Sequence, residues 1–538
     1  MTGEALILAH DLGTSSDKAA LVTARGEVVA VAVEKVATSF PRPTWAEQDP
    51  ADWWRAVAAT TRRVLEEGGA RPAKVRALAF SSQMLGVVAV DGDGTVLRPA
   101  IIWLDSRAGD VAKRLARGGW PRVRLHGVKV SLRKLARWLR ITGGGPSPVG
   151  KDPPWKLAWL REHEPDVWAA THKVLDCKDY LVHACTGVFV TSRDAANLTW
   201  AFDNRPGRMR WSPTLLKMLD LPLEKLPEVH ASTDVVGGLL EGAAGELGLV
   251  AGTPVVCGCG DVAAAAVGSG AVREKATHVY VGTSGWVVAP LRKRTLHLGS
   301  FTGSICGADP DKYNFVAEKE VAGEAFEWFL RVAGSGERVV ATTPGGGATP
   351  LELLDEEAAK SPPGAGGVMF FPWLFGERAP VDDDALRGAF FNLSLDDRHE
   401  HLARAVYEGV ALNFRWGFAG FEAKRVNLPG DAVNAIGGGV KSNVFCQILA
   451  DATGRTIRRV VDPQHAGARG TALVAAVGLG TYPDFDSLAP LFEFEATFEP
   501  NPRARRLYDV LFGHFLRFHA ATKPLYRQVH LDRDLFAR

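Results

Sequence analysis

Two stretches of this chain follow one plan: HDLGTSSDKAALV at residues 10–22 and YVGTSGWVVAPL at residues 280–291. In each, an apolar run meets a Gly-Thr-Ser turn and a second apolar run follows. A glycine turn between runs of strand length predicts a hairpin, and its return in the second half predicts an internal duplication. A chain of 538 residues also exceeds what one hydrophobic core holds. The expectation is two α/β domains, divided at residues 1–262 and 263–538.

The first half reads as a strand meander over residues 5–9 and 19–22 that continues through GEVVAVAVEKVAT. A helix comes next, with Asp49 and Asp52 near its start, apolar spacing through Trp53, Val57 and Val64, and a glycine stop. VRALAFSS is a further strand, and Asp91-Gly92-Asp93-Gly94 marks a hairpin. In the second half, VVCGCGD is a strand ending in an acid, and VNAIGGGVKSNVFCQILADATG reads as strand, glycine turn, helix and glycine stop.

Charge and apolar patterning exclude several partners. Sixty-three Lys and Arg against 61 Asp and Glu leave a net charge of +2, which gives no general attraction to nucleic acid or to an anionic membrane. No apolar run approaches the ~20 residues that cross a bilayer, and Met1-Thr2-Gly3-Glu4 has no basic leader; the expected location is the cytoplasm. The locally basic stretch 122–140 reads as a solvated helix face rather than an RNA site. The six cysteines lack paired zinc spacing, and Cys257 and Cys259 read as small buried strand thiols. His399 and His401 flank Glu400 without a further ligand to converge on a metal. The stretch RRLYDVLFGHFLRFHAATKPLY has helical apolar spacing that would pack across a domain or, in a homodimer, against a second copy.

Chemistry concentrates at the glycine turns. Backbone N–H groups at such turns form concavities that suit phosphate oxygens. There are three: Gly13-Thr14-Ser15-Ser16, Gly282-Thr283-Ser284-Gly285 and Gly437-Gly438-Gly439, the last followed by Lys441, Ser442 and Asn443. None is a Walker A loop or a dinucleotide fingerprint, and each alone is equally a structural turn. Asp11 and Asp261 add to them, because each ends an apolar strand. A carboxylate there can hold Mg²⁺ through water or take a proton from a hydroxyl; its bland alternative is a helix cap or a turn former.

The order of HDLGTSSDKAALV, SSQMLGVVAVDGDGTVLRPAIIWLDSRA, KLAWLREHEPDVW, KDYLVHACTG, GCGDVAAAAVGSGAV, YVGTSGWV, FGERAPVDDDALRGAFFNLSLDDRHEHLARAVYEGVAL and IGGGVKSNVFCQILADATG resembles the FGGY carbohydrate kinases, nearest their xylulose-kinase-like branch. The resemblance spans roughly residues 5–480. It implies two actin-like, ribonuclease-H-like ATPase domains flanking a catalytic cleft, and transfer of the ATP γ-phosphoryl group to a hydroxyl of a small ketose or polyol. It implies that Gly13, Thr14, Ser15 and Lys18 reach the ATP phosphates while Asp11 faces Mg²⁺. Gly282 and Thr283 would approach from the second domain. Gly438, Gly439 and Asn443 would form the adenosine pocket, with Gly323 and Glu327 near the nucleotide. Asp261 takes the place of the general base.

On the sugar side, Gln83, Met84, Trp103 and Asp105 are candidates to line the pocket, with strand core and a hairpin end as their alternative reading. Family xylulose kinases carry Gln-Met-His-Gly where this chain has Gln83-Met84-Leu85-Gly86, and Trp-Asn-Asp where it has Trp103-Leu104-Asp105. Leucine donates no hydrogen bond, so D-xylulose is expected to be a poor substrate. Asn392 replaces a signature glycine before Leu393, a backbone adjustment. Two other functions compete: an actin-like ATPase switch that needs no base for an external hydroxyl, and a kinase-like sensor that binds sugar without phosphorylating it.

Overall fold

Asp49 caps the helix Pro50–Glu67 by accepting from the Ala51 N–H, and Gly68 closes it, as the sequence spacing predicts. The buried side chains Trp53, Val57 and Val64 join this helix to the core of the first sheet. The computed structural model describes residues 5–119, 121–125, 128–333 and 349–532.

Two large sheets organise the chain, and they share a strand order. In the first, Val28–Lys35, Ser16–Thr23, Leu6–Leu12, Val75–Ser82 and Pro254–Gly260 lie side by side, with Val235–Gly238 at the far edge. In the second the matching order is Tyr313–Lys319, Gly285–Leu291, Thr277–Val281, Ala432–Ile436 and Thr456–Val460, extended at both edges. In each set the second and third strands are the antiparallel arms of a hairpin, and the last two run parallel to the third. The duplication suggested by the two Gly-Thr-Ser turns is therefore a duplication of topology, the ribonuclease-H-like arrangement.

Each half covers one face of the other's sheet. The helix Ala466–Gly478, late in the second half, sets Ala468, Ala472, Ala475 and Ala476 against Ile7, Ala9, Ala77 and Val256 of the first sheet. In return, the helix Asp261–Gly268 sets Val262, Ala265 and Ala266 against Trp286, Val288, Ile436 and Val460 of the second. The division at 262/263 falls inside that helix. Where the two helices cross, a Cβ on Gly268 would run into the Ala466 carbonyl, and one on Gly470 into the Ala264 carbonyl. Gly470→Ala should cost about 1–3 kcal/mol through overpacking, read as a lower denaturation midpoint; an unchanged midpoint would show that the crossing gives way freely.

Two local readings change. The first strand runs on through Asp11 to Leu12, and the second begins at Ser16, so Lys18 belongs to a strand and the turn is shorter than expected. The stretch 122–140 opens not as a helix but as a hairpin, Arg122–Leu125 with Val128–Ser131, before the helix Leu132–Thr142. The alternation of Arg122, Val123, Arg124 and Leu125 is a period of two, which outweighs the basic composition. The C-terminal helix Pro502–Leu531 packs within the second half: Phe515 lies against Phe371 and Trp373, and the Tyr508 hydroxyl donates to Glu408. Asn392 adopts a φ of 66°, a left-handed conformation that asparagine tolerates better than most side chains. All six cysteines are buried and free. Among the described residues no helix is long and apolar enough to cross a membrane.

Candidate active site

The parallel strands Leu6–Leu12, Val75–Ser82 and Pro254–Gly260 end together, which in an open α/β sheet is where a ligand crevice forms. Register places Asp11 beside Ser81, and Ser81 beside Cys259, two residues before Asp261. The Ser81 hydroxyl donates to Asp11 Oδ1 at 2.9 Å. Gly467 faces Asp11 from the other half, where any side chain would strike the carboxylate. Burial pushes the Asp11 carboxyl above its ordinary value, against the opposing pull of Lys18 and of the Ser81 hydrogen bond. Lys18 stands across from Asp11 in the hairpin register.

Asp261 opens the helix Asp261–Gly268, and its Oδ1 accepts from the Val262 N–H at 2.8 Å. Burial first, and then the Asp11 charge, hold its carboxyl well above the usual carboxylate range. The residue before it is fixed from beneath: buried Asp194 accepts the Gly260 N–H at 2.7 Å. Asp194 lies near the buried Lys178–Asp179 ion pair, whose lysine opposes the burial that raises the Asp194 carboxyl.

The first hairpin turn and the sugar-side candidates form one network. Trp103 Nε1 donates to Thr14 Oγ1 at 2.8 Å, Thr14 Oγ1 donates to Gln83 Oε1 at 3.2 Å, and Gln83 Nε2 donates to Gln48 Oε1 at 2.7 Å. The Gln48 amide returns to the Thr14 carbonyl at 2.6 Å. Thr14 is thus tied to Trp103 and Gln83, with Gly13 half-buried and Ser15 exposed at the turn. Met84 and Leu85 join Trp286 in one apolar cluster, with Trp103 and Tyr280 packed against it. Asp105, expected in the pocket, is 0 % exposed; its carboxylate accepts from Ala46 N–H and the Arg107 guanidinium, which is stacked on Trp45. A carboxylate so engaged supports the loop rather than contacting a ligand.

Two further residues shape this wall, and sequence reasoning missed them. Lys156 is fully buried and donates to the Leu85 and Ile102 carbonyls at 3.0 and 2.8 Å, joining the loops after Gln83 and before Trp103; burial lowers its ammonium to about 8. Asp176 accepts the Gly86 N–H at 2.9 Å, and burial with neighbouring Asp179 lifts its carboxyl to about 7. A lone lysine inside the apolar run PPWKLAWL was the available signal for the first.

On the opposite side, the Gly282-Thr283 turn is gripped from behind. Ala322 N–H donates to the Thr283 carbonyl at 3.0 Å, and Gly323 N–H donates to that of Gly282 at 2.6 Å. A Cβ on Gly323 would stand 2.7 Å from the Gly282 oxygen, so glycine permits the grip. Thr283 and Glu327 are exposed. Gly438 has open space where a Cβ would stand, whereas Gly439 packs on Val281 and Phe326. Asn443 Oδ1 accepts from Arg459 at 2.8 Å at the start of the helix Asn443–Thr453. The glycine turns of the second half thus follow the ends of two adjacent parallel strands, Thr277–Val281 and Ala432–Ile436, while the acids lie at the strand ends of the first.

This pairing of duplicated ribonuclease-H-like sheets with acids at the strand ends agrees with the sequence comparisons. The model for the N-terminal domain of the FGGY family of carbohydrate kinases matches residues 6–268, and that for the C-terminal domain matches residues 278–479. The chain belongs to the FGGY family of carbohydrate kinases. It is 31% identical to a xylulose kinase of Escherichia coli, over 96% of this chain and 99% of that protein. Among solved structures, a xylulose kinase from Rhodospirillum rubrum superposes with a TM-score of 0.79 at 27% identity, covering 97% of this chain and 100% of that one. A gluconate kinase from Lactobacillus acidophilus shares the fold with a TM-score of 0.84 at 24% identity, over 98% and 100% of the two chains.

Proposed function

We propose that this carbohydrate kinase transfers the γ-phosphoryl group of ATP to a hydroxyl of a small ketose or polyol, with Asp261 as the base and Asp11 on the metal side. The observation that supports it most is the placement of these two carboxyls at the ends of strands that the register joins through Ser81, with the Gly13 turn directly after the first of them. Among the described residues no cluster of three or more metal-ligating side chains occurs. A single strand-end carboxylate, Asp11, fits Mg²⁺, which commonly keeps several waters and takes one or two carboxylates plus substrate phosphates. Bound there, Mg²⁺ would neutralise charge on the phosphates. The open backbone at Gly438 and the exposed Thr283 suit adenosine and phosphate contacts.

In its ionised form the Asp261 carboxylate can accept the proton released by the attacking hydroxyl, and burial with the Asp11 charge makes it a stronger base than an ordinary aspartate. Its hydrogen bond from Val262 N–H orients the carboxylate toward the crevice end of the helix. Gln83 and Trp103 position the Thr14 turn, and Met84 and Leu85 present an apolar wall. A sugar hydroxyl laid against Leu85 lacks a partner, which costs about 1–3 kcal/mol, so D-xylulose should be outperformed by a related ketose or polyol that lacks or inverts that hydroxyl.

ADP release measured across pentuloses, hexuloses and sugar alcohols tests the whole reading. Release that depends on one sugar supports it. Sugar-independent release would favour an ATPase switch, and sugar binding without turnover a sensor. D-xylulose emerging with the highest kcat/KM would show that another group replaces the missing donor.

A further inference from the structure

Tyr280, half-buried beside the Gly282-Thr283 turn, is a side chain that the proposed mechanism leaves without a task. In the strand Thr277–Val281, Val279 and Val281 are fully buried, and the alternation turns Tyr280 to the opposite face, where it stays half-buried. Its ring stacks on Trp286, its register partner across the hairpin, with centroids 4.1 Å apart and planes 12° from parallel. The pair packs with Met84, Leu85 and Val262, so this wall of the second half meets both the acceptor side of the first half and the helix that begins at Asp261.

The hydroxyl lies at the phosphate turn. A Cβ on Gly282 would stand 2.5 Å from ring carbons of Tyr280 and strike its oxygen, which explains why glycine occupies that position. Among the described residues the hydroxyl has no hydrogen-bond partner. Burial, with the charges of Asp11 and Asp261, pushes the phenol further above its ordinary value, so it remains a neutral donor.

We propose that the Tyr280 hydroxyl is a catalytic group that donates a hydrogen bond to the phosphoryl group in transit between ATP and the sugar; this rests on the kinase reading above. In the step, the sugar oxygen forms a bond to the γ-phosphorus, the bond from that phosphorus to the β,γ-bridging oxygen breaks, and its electron pair leaves with ADP. The hydroxyl proton passes to Asp261, and Tyr280 keeps its own. A phosphoryl group that passes beside two carboxyls gains from donors that add no negative charge. A phenol already locked by stacking needs no reorganisation to supply one.

Tyr280→Phe keeps the ring and its stacking on Trp286, which near-UV circular dichroism can confirm. With the best sugar from the panel, kcat should fall about 10²-fold, while sugar KM, ADP affinity and the denaturation midpoint stay at wild-type values. Wild-type kcat in the variant would overturn the proposal, as would a change confined to sugar KM. A wild-type preparation that releases no ADP with any sugar would instead overturn the kinase reading, and this inference with it.

Discussion

Asp261→Asn is expected to lower sugar-dependent ADP release by about 10²- to 10⁴-fold, the range that general-base catalysis commonly supplies, while ATP still binds. The carboxamide keeps the shape of the side chain, and its oxygen can still accept the Val262 N–H, so the helix start should survive. What is lost is the proton acceptor. The same assignment fixes a pH dependence. The ionised carboxylate is the active form, and burial with the Asp11 charge places its titration above the usual carboxylate range. Wild-type kcat/KM should therefore fall as pH drops through a value higher than the ~4 of an ordinary aspartate, and the residual activity of the variant should lack that limb. Turnover near wild type in Asp261→Asn would sink the assignment.

Removing the partner acid should have a different signature. Asp11→Ala takes away the carboxylate placed on the metal side, and a loss of about 10²-fold in turnover corresponds to ~2.7 kcal/mol of barrier. Raised Mg²⁺ should recover part of it if the position of the ion is what suffers. Because the Asp11 charge also raises the Asp261 carboxyl, its removal should move the acid limb of the remaining activity to lower pH. Calorimetry with sugar alone is the control: sugar affinity that falls as far as turnover would mean that Asp11 serves the acceptor site and not the metal.

The parts of this molecule that were legible in the sequence are those whose cause is local. A Gly-Thr-Ser turn between apolar runs is a hairpin wherever it sits, and Asp49 before a run spaced as Trp53, Val57 and Val64 is a capped helix. The shared strand order of the halves follows from two such hairpins at matching places. The contacts that shape the site are otherwise. Thr14 meets Gln83 and Trp103 from 69 and 89 residues away, so a residue read as a phosphate contact is hydrogen-bonded to two residues read as sugar-side candidates. Asp105 stands in a motif that reads as ligand-facing, yet its partner is two residues on, at Arg107. Asp194, Lys156 and Asp176 act through backbone groups of distant loops, and no spacing rule links such pairs. Tyr280 was within reach: alternation in THVYV places it opposite Val279 and Val281, but the composition of one strand does not say which face meets a cleft.

The exchange of helices between the halves bears on how the chain is made. The alanine-rich helix Ala466–Gly478 covers Ile7, Ala9, Ala77 and Val256, yet it emerges from the ribosome long after the strand Pro254–Gly260 has completed the sheet it covers. At ~5–20 residues per second of synthesis, that interval lasts about 10–40 s. Throughout it, the apolar face of the first sheet has no native cover. The nascent N-terminal half is therefore expected to fold fully only once the second half has followed it, and the two halves should be recoverable as folded protein only when expressed together.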